Sequence, residues 1–77
     1  MVQTEFAVVV PSEKIDIFLK KLGSICTKYS CIETHTIAKM INYDKLIVQI
    51  KLQATQYTFF RNNRFEDIYN EIVCWDV

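Results

Sequence analysis

Apolar and polar positions recur with two different periods along the chain, and these periods separate strand-like from helix-like segments. Residues 4–10 form a β-branched run that is apolar on both faces from Phe6 onward, which predicts a central strand covered on both sides. Pro11 ends this strand, and Ser12 is expected to cap a helix with Glu13 in its first turn. The helix is indicated by apolar residues that share one face: Ile15, Phe18, Leu19, Leu22, Ile25 and Cys26.

Two further strands are predicted in the middle of the chain. Residues 31–41 are rich in threonine and isoleucine, but both parities mix apolar and polar side chains, so the inward face stays open. Residues 42–44 have turn chemistry. The third strand shows clean alternation at Leu46, Val48, Ile50 and Leu52, which indicates a hairpin with a half-buried strand. The alternation breaks at residues 54–56, where the chain forms either a bulge or a turn into a short fourth strand.

A second helix is predicted near the end of the sequence. Asn63 and Glu66 have the spacing of a capping box, and an apolar stripe follows at Phe65, Ile68, Tyr69 and Ile72. Residues 73–77 either extend this helix or form a terminal strand. The first option gives the order β-α-β-β-(β)-α, and the second gives the order of ferredoxin-like modules, a resemblance that transfers no functional residues.

Both options describe the same fold class. We expect one α+β domain over residues 1–77, with a small antiparallel sheet of three or four strands and two helices packed on one face. The composition agrees, because 51% of the residues are hydrophobic and there is one glycine and one proline, unlike a disordered chain.

The net charge and the spacing of the cysteines exclude some kinds of protein. Nine Lys and Arg residues balance nine Asp and Glu residues, and zero net charge disfavours a protein that neutralises many phosphates. The three cysteines have no regular framework spacing, and no signal peptide or apolar membrane segment is visible. We therefore expect a cytoplasmic protein with reduced thiols and no membrane association.

Candidate catalytic and metal-binding residues are few. Cys26, Cys31, His35 and Cys74 are residue types that bind zinc, but their spacing is not that of a structural zinc site. Buried free cysteine is the simpler interpretation. His35 could activate a cysteine nucleophile, yet a strand histidine with Glu33 as a same-face neighbour is better explained as a cross-strand residue. We expect no metal, no cofactor and no catalytic site.

An alternative function, binding of RNA or single-stranded nucleic acid, rests on one segment. Tyr57, Phe59, Arg61 and Arg64 interleave rings that stack on bases with cations that hold phosphates. The zero net charge disfavours this alternative.

The strongest functional signal is a surplus of apolar side chains without an assigned place in the core: Ile17, Ile37, Ile41, Tyr43, Ile47, Val73 and Trp75. Either they fill the core in a way that the pattern does not show, or part of them forms an interaction surface. We favour the second interpretation, with Trp75, Tyr43, Ile47, Ile37 and Ile17 as interface residues.

The function predicted from these observations is a non-catalytic protein-binding module, such as an inhibitor, an antitoxin or a regulatory adaptor, that binds another protein or forms a homodimer. Abundant isoleucine, lysine, asparagine and tyrosine indicate an AT-rich genome, and hence a phage or viral accessory protein that blocks a host protein.

Overall fold

The computed structural model describes residues 2–42, 44–54 and 64–76. Its elements are strand β1 (Val2–Pro11), a 3-10 turn (Ser12–Lys14), helix α1 (Ile15–Tyr29), strands β2 (Ile32–Lys39) and β3 (Lys45–Ala54), and helix α2 (Arg64–Val73). The strands form an antiparallel sheet in the order β1-β3-β2. The predicted α+β class and the order β-α-β-β-α are confirmed. Residues 74–76 form a turn, so the part of the chain that is described has no terminal strand of the ferredoxin-like order.

The core lies between the two helices and one face of the sheet. Alternate residues of β1 and β3 point toward the helices, among them the buried Val10 and Ile50. The two helices bury Phe18 and Ile68 against them. Burial of this single face explains why α1 and β3 show the cleanest periodicity in the sequence.

The prediction that the first strand lies centrally and is covered on both sides is wrong. Among the described strands β1 pairs only with β3, and its residues alternate between a buried and an exposed face. Val8 and Val10 are buried, whereas Val9 between them is 50% exposed. The apolar run therefore reflects the preference of β-branched residues for strands as well as burial.

Ser12 does not cap the helix, contrary to the sequence prediction. Its hydroxyl donates to the backbone oxygen of Asp44 at 3.3 Å and to the Asp44 carboxylate, and its backbone N–H donates to the same backbone oxygen at 3.2 Å. The helix begins at Ile15, after a 3-10 turn, without a side-chain cap. The hydroxyl instead ties the end of β1 to the turn that joins β2 and β3.

Strand β2 is covered on neither face over most of its length. Its residues are exposed or, at Glu33, half-buried, and Ile37 is 44% exposed although its register partner Val48 is fully buried. The helices therefore cover β1 and β3 but leave this edge strand open, which explains why the sequence of β2 shows no consistent inward parity.

The two helices are joined on their outer side by Lys28, Tyr29 and Glu71. The Lys28 ammonium lies 3.2 Å from Glu71 Oε1. The neighbouring Tyr29 hydroxyl and the Lys28 ammonium hold the pKa of Glu71 below its ordinary range, and the same carboxylate raises the pKa of Tyr29. These contacts stabilise the charged form of Glu71 in the folded state.

We expect Glu71→Gln to lower stability slightly at neutral pH and to leave it unchanged in acid. A depressed folded-state pKa contributes stability above the unfolded pKa, and this contribution is lost as the pH falls through the folded value. Urea midpoints of the wild type and the variant should differ at pH 7 and converge below about pH 4, the ordinary range of glutamate. Glu66→Gln, an exposed residue of the same helix, is the control. A gap that persists in acid would contradict the assignment.

Candidate protein-binding surface

The sheet has one face that the helices do not cover, and the strand register orders its side chains into rows. From one end to the other, the rows are Val9–Ile47–Ala38, Ala7–Gln49–Thr36, Glu5–Lys51–Thr34 and Gln3–Gln53–Ile32. We call this side the open face. Its rows change from apolar to polar along the strands, so the two ends of the face have different properties.

The polar end of the open face is paired within itself. Lys51 Nζ lies 3.3 Å from Glu5 Oε1, and the Gln53 side-chain amide donates to Gln3 Oε1 at 3.1 Å. Each pair joins directly opposed residues of β1 and β3, the arrangement in which cross-strand side chains interact best. This end of the face is therefore mainly polar, although its last row also carries Ile32, which is 66% exposed.

The opposite end lies beside the turn between β2 and β3 and is apolar. Its row joins the half-exposed Val9, the partly buried Ile47 and the exposed Ala38. The adjoining turn carries Ile41, which is 84% exposed. We call these four residues the hairpin patch. They come from three separate segments, and the sheet register, rather than closeness in sequence, brings Val9, Ile47 and Ala38 into one row.

One lysine borders the hairpin patch. Lys45 is the register partner of Pro11 and has the same parity as Ile47, which places it on the open face. Lys39 lies in the row of the buried Val10 and therefore belongs to the helix side of the sheet. Lys45 is exposed and has no ion-pair partner in residues 2–42, 44–54 and 64–76. The rim of the patch is polar, because Lys45 follows Asp44, which accepts from Ser12.

The hairpin patch is held in a defined shape. Asn42 adopts a left-handed backbone conformation with φ 72°, which asparagine tolerates better than most residues and which closes the turn. The contacts of Ser12 with Asp44 attach this turn to β1. A surface that is ordered before binding loses less conformational entropy when a partner docks on it.

The structure separates the interface residues predicted from sequence. Ile47 lies in the hairpin patch, Ile37 lies on the helix side of β2, and Ile17 is exposed on α1. Tyr43 lies outside the described residues. Trp75 is 7% exposed and packs in the core against Phe18, so the view that it lacks an inward place is wrong.

Sequence reasoning missed Val9 and Ala38 as members of the surface. The sequence pattern places Val9 in a strand covered on both sides, and it does not show which face of the strand with Ala38 points inward. The one signal that could have found Val9 is its parity, because Val8 and Val10 suffice for one buried face and leave Val9 for the other.

The residues of the nucleic-acid alternative do not form a described surface. Tyr57, Phe59 and Arg61 lie outside the described residues. Arg64 is the first residue of α2 and is exposed. The alternative stays a prediction.

The four candidate ligands for a metal are not brought together as one set. His35 Nδ1 lies 2.9 Å from Glu33 Oε2, while Cys26 and Cys31 are buried and Cys74 is exposed. Within the part of the chain that the structure describes, no group of three His, Cys, Asp or Glu side chains is arranged to hold a metal ion.

Comparisons with known proteins found no relative of this chain. The sequence matches no protein-family model, and neither the curated proteins nor the solved structures contain a significant match. No described helix has the length and apolar character needed to span a membrane.

Proposed function

We propose that this protein is a small protein-binding module that docks through the hairpin patch. The observation that carries the proposal is the division of the open face. Its far end has two polar pairs and one exposed apolar residue, Ile32, whereas its hairpin end groups apolar side chains in one row on an ordered support. Exposed apolar clusters rimmed by polar groups on a small domain are typical of interaction sites.

The charge beside the patch indicates the chemistry of the partner. Lys45 borders the patch on the open face, and its register partner is Pro11 rather than a carboxylate. Complementary charge steers association and fixes the orientation of a complex. The partner is therefore a protein with an apolar surface bordered by Asp or Glu, and an inhibitor or adaptor that covers such a surface fits this description.

The size of the patch makes it the anchor of a larger contact. Three strands about 4.8 Å apart give a width of about 15 Å, so a few rows provide a few hundred Å² at most. A standard interface buries about 800 Å² on each partner. An isologous dimer centred here would also bring two copies of Lys45 to one interface, which favours a different protein over a second copy.

We expect Ile47→Asp to weaken partner capture at least tenfold. A charge at the centre of the patch must be desolvated in the complex, and loss of an interface anchor costs about 2 kcal/mol or more. The measurement is capture of proteins from lysate of the source cells, with and without nuclease, quantified by mass spectrometry. Gln53→Asp, a change on the same strand and the same face, is the matched control and should retain capture.

Three results would contradict the proposal. An equal loss of partner capture in Ile47→Asp and Gln53→Asp would show that the hairpin patch is not the docking site. Capture that disappears with nuclease would support the alternative that uses Arg61 and Arg64. Concentration-dependent self-association in light scattering that Ile47→Asp abolishes would identify a second copy as the occupant. Unchanged circular dichroism of both variants shows that they are folded.

A further inference from the structure

The end of α1 brings two cysteines together. Ser30 adopts a left-handed conformation (φ 59°, ψ 39°), its N–H donates to Thr27 O at 3.3 Å, and the Cys31 N–H donates to Cys26 O at 3.0 Å. This pair of hydrogen bonds defines the Schellman motif. In that motif the residue after the left-handed position commonly packs its side chain against the helix residue whose carbonyl it binds.

In this chain the two residues that meet in the Schellman motif, Cys26 and Cys31, are both cysteines. Cys26 and Cys31 are 5% and 9% exposed and belong to one core cluster. Cys74 is the third thiol and is exposed on the outer side of the helices, beside Ile25 and Glu71. The Schellman motif thus joins two of the three thiols by local backbone geometry.

We propose that Cys26 and Cys31 form a reversible disulfide site that is oxidised by a low-molecular-weight disulfide such as oxidised glutathione. A disulfide requires Cα atoms about 4.4–6.8 Å apart. The backbone hydrogen bond between the two residues and their place in one buried cluster hold them close together without unwinding α1. The proposal concerns covalent chemistry at the helix end and is independent of the hairpin patch.

Exposure and electrostatics together give the pair two roles. The neighbouring Cys26 thiol lowers the pKa of Cys31, and the interaction with Cys31, together with burial, raises the pKa of Cys26. Thiolate is the reactive form of cysteine. Cys31, which is also the more exposed of the two, is the attacking group, and Cys26 resolves the intermediate.

The exchange is balanced in atoms and electrons. The Cys31 thiolate attacks one sulfur of the small disulfide, whose S–S bond breaks and releases one thiolate. Cys26 then loses its proton and attacks the Cys31 sulfur, which displaces the second thiolate. The protein loses two protons and two electrons, and the small disulfide takes them up and becomes two thiols. Excess reduced glutathione reverses both steps.

The test uses the full reduced chain and a tryptic peptide map. Cleavage after Lys28 separates Cys26, in peptide 22–28, from Cys31, in peptide 29–39, and cleavage after Arg64 places Cys74 in peptide 65–77. After treatment with oxidised glutathione, we expect peptides 22–28 and 29–39 to be linked. The number of free thiols, apart from any glutathione adduct on Cys74, should fall from three to one.

Variants separate the two roles. Cys74→Ser should still link the same two peptides, with free thiols falling from two to none. Cys26→Ser should stop at a glutathione adduct on peptide 29–39. Linkage of peptide 22–28 to peptide 65–77, disulfide-linked dimers, or modification confined to Cys74 would overturn the proposal. The wild-type map decides the question even where a variant does not fold.

Discussion

Trp75→Ala is expected to lower the free energy of unfolding by about 3–5 kcal/mol, the usual cost of truncating a buried aromatic residue. The indole is 7% exposed and meets the Phe18 ring edge-on, with centroids 5.4 Å apart and an angle of 82° between the ring planes. At 0.05–0.15 kcal/mol per residue a chain of this length has about 4–12 kcal/mol in total. The substitution therefore removes a large part of the stability.

Equilibrium urea unfolding followed by circular dichroism measures this loss. Val73→Ala is a matched control two residues away, because Val73 is 42% exposed and its truncation should change stability by about 0.5 kcal/mol or less. A Trp75→Ala variant that keeps its stability but loses its partner would instead make Trp75 the interface anchor that sequence reasoning proposed.

Ile50→Ala is expected to cost about 2–5 kcal/mol. Ile50 is fully buried at the middle of β3, the strand that pairs with both others, so the cavity would open where the sheet meets the helices. Gln49→Ala changes the neighbouring residue, which points to the open face, and should stay within about 0.5 kcal/mol of the wild type. The same urea titration compares the two variants, and equal losses would contradict the described register.

Elements with one buried face could be predicted from sequence. The stripe of α1 predicted a helix because Phe18, Leu22 and Ile25 recur at helical spacing and are all buried. The alternation of β3 predicted a half-buried strand because the helices cover one of its faces. In both cases the local pattern records the environment directly.

The positions of β1 and β2 within the sheet could not be predicted, since they depend on pairing between distant segments. A run of valines in an edge strand has the same local pattern as one in a central strand, and only the position of β3 decides between them. The prediction for Trp75 was wrong for a related reason. The indole packs against Phe18, which is 57 positions earlier in the sequence.

Two of the four residues of the hairpin patch could be identified from the sequence. Ile47 has the parity opposite to the buried residues of β3, and Ile41 was recognised as apolar without a place in the core. Val9 and Ala38 join the patch only through cross-strand register. The surface is thus a property of the assembled sheet, and no single segment carries it.

The strand order also affects how the protein can fold as it is synthesised. β1 and β2 each pair with β3, which is the last of the three to leave the ribosome, so a nascent chain that ends before residue 45 contains two strands with no described neighbour to pair with. Every β1–β3 pair joins residues 34 to 52 positions apart, as for Pro11 with Lys45 and Val2 with Ala54. Such non-local pairing slows folding. Until β3 emerges, the nascent chain exposes the apolar run of β1 to chaperones and to other chains.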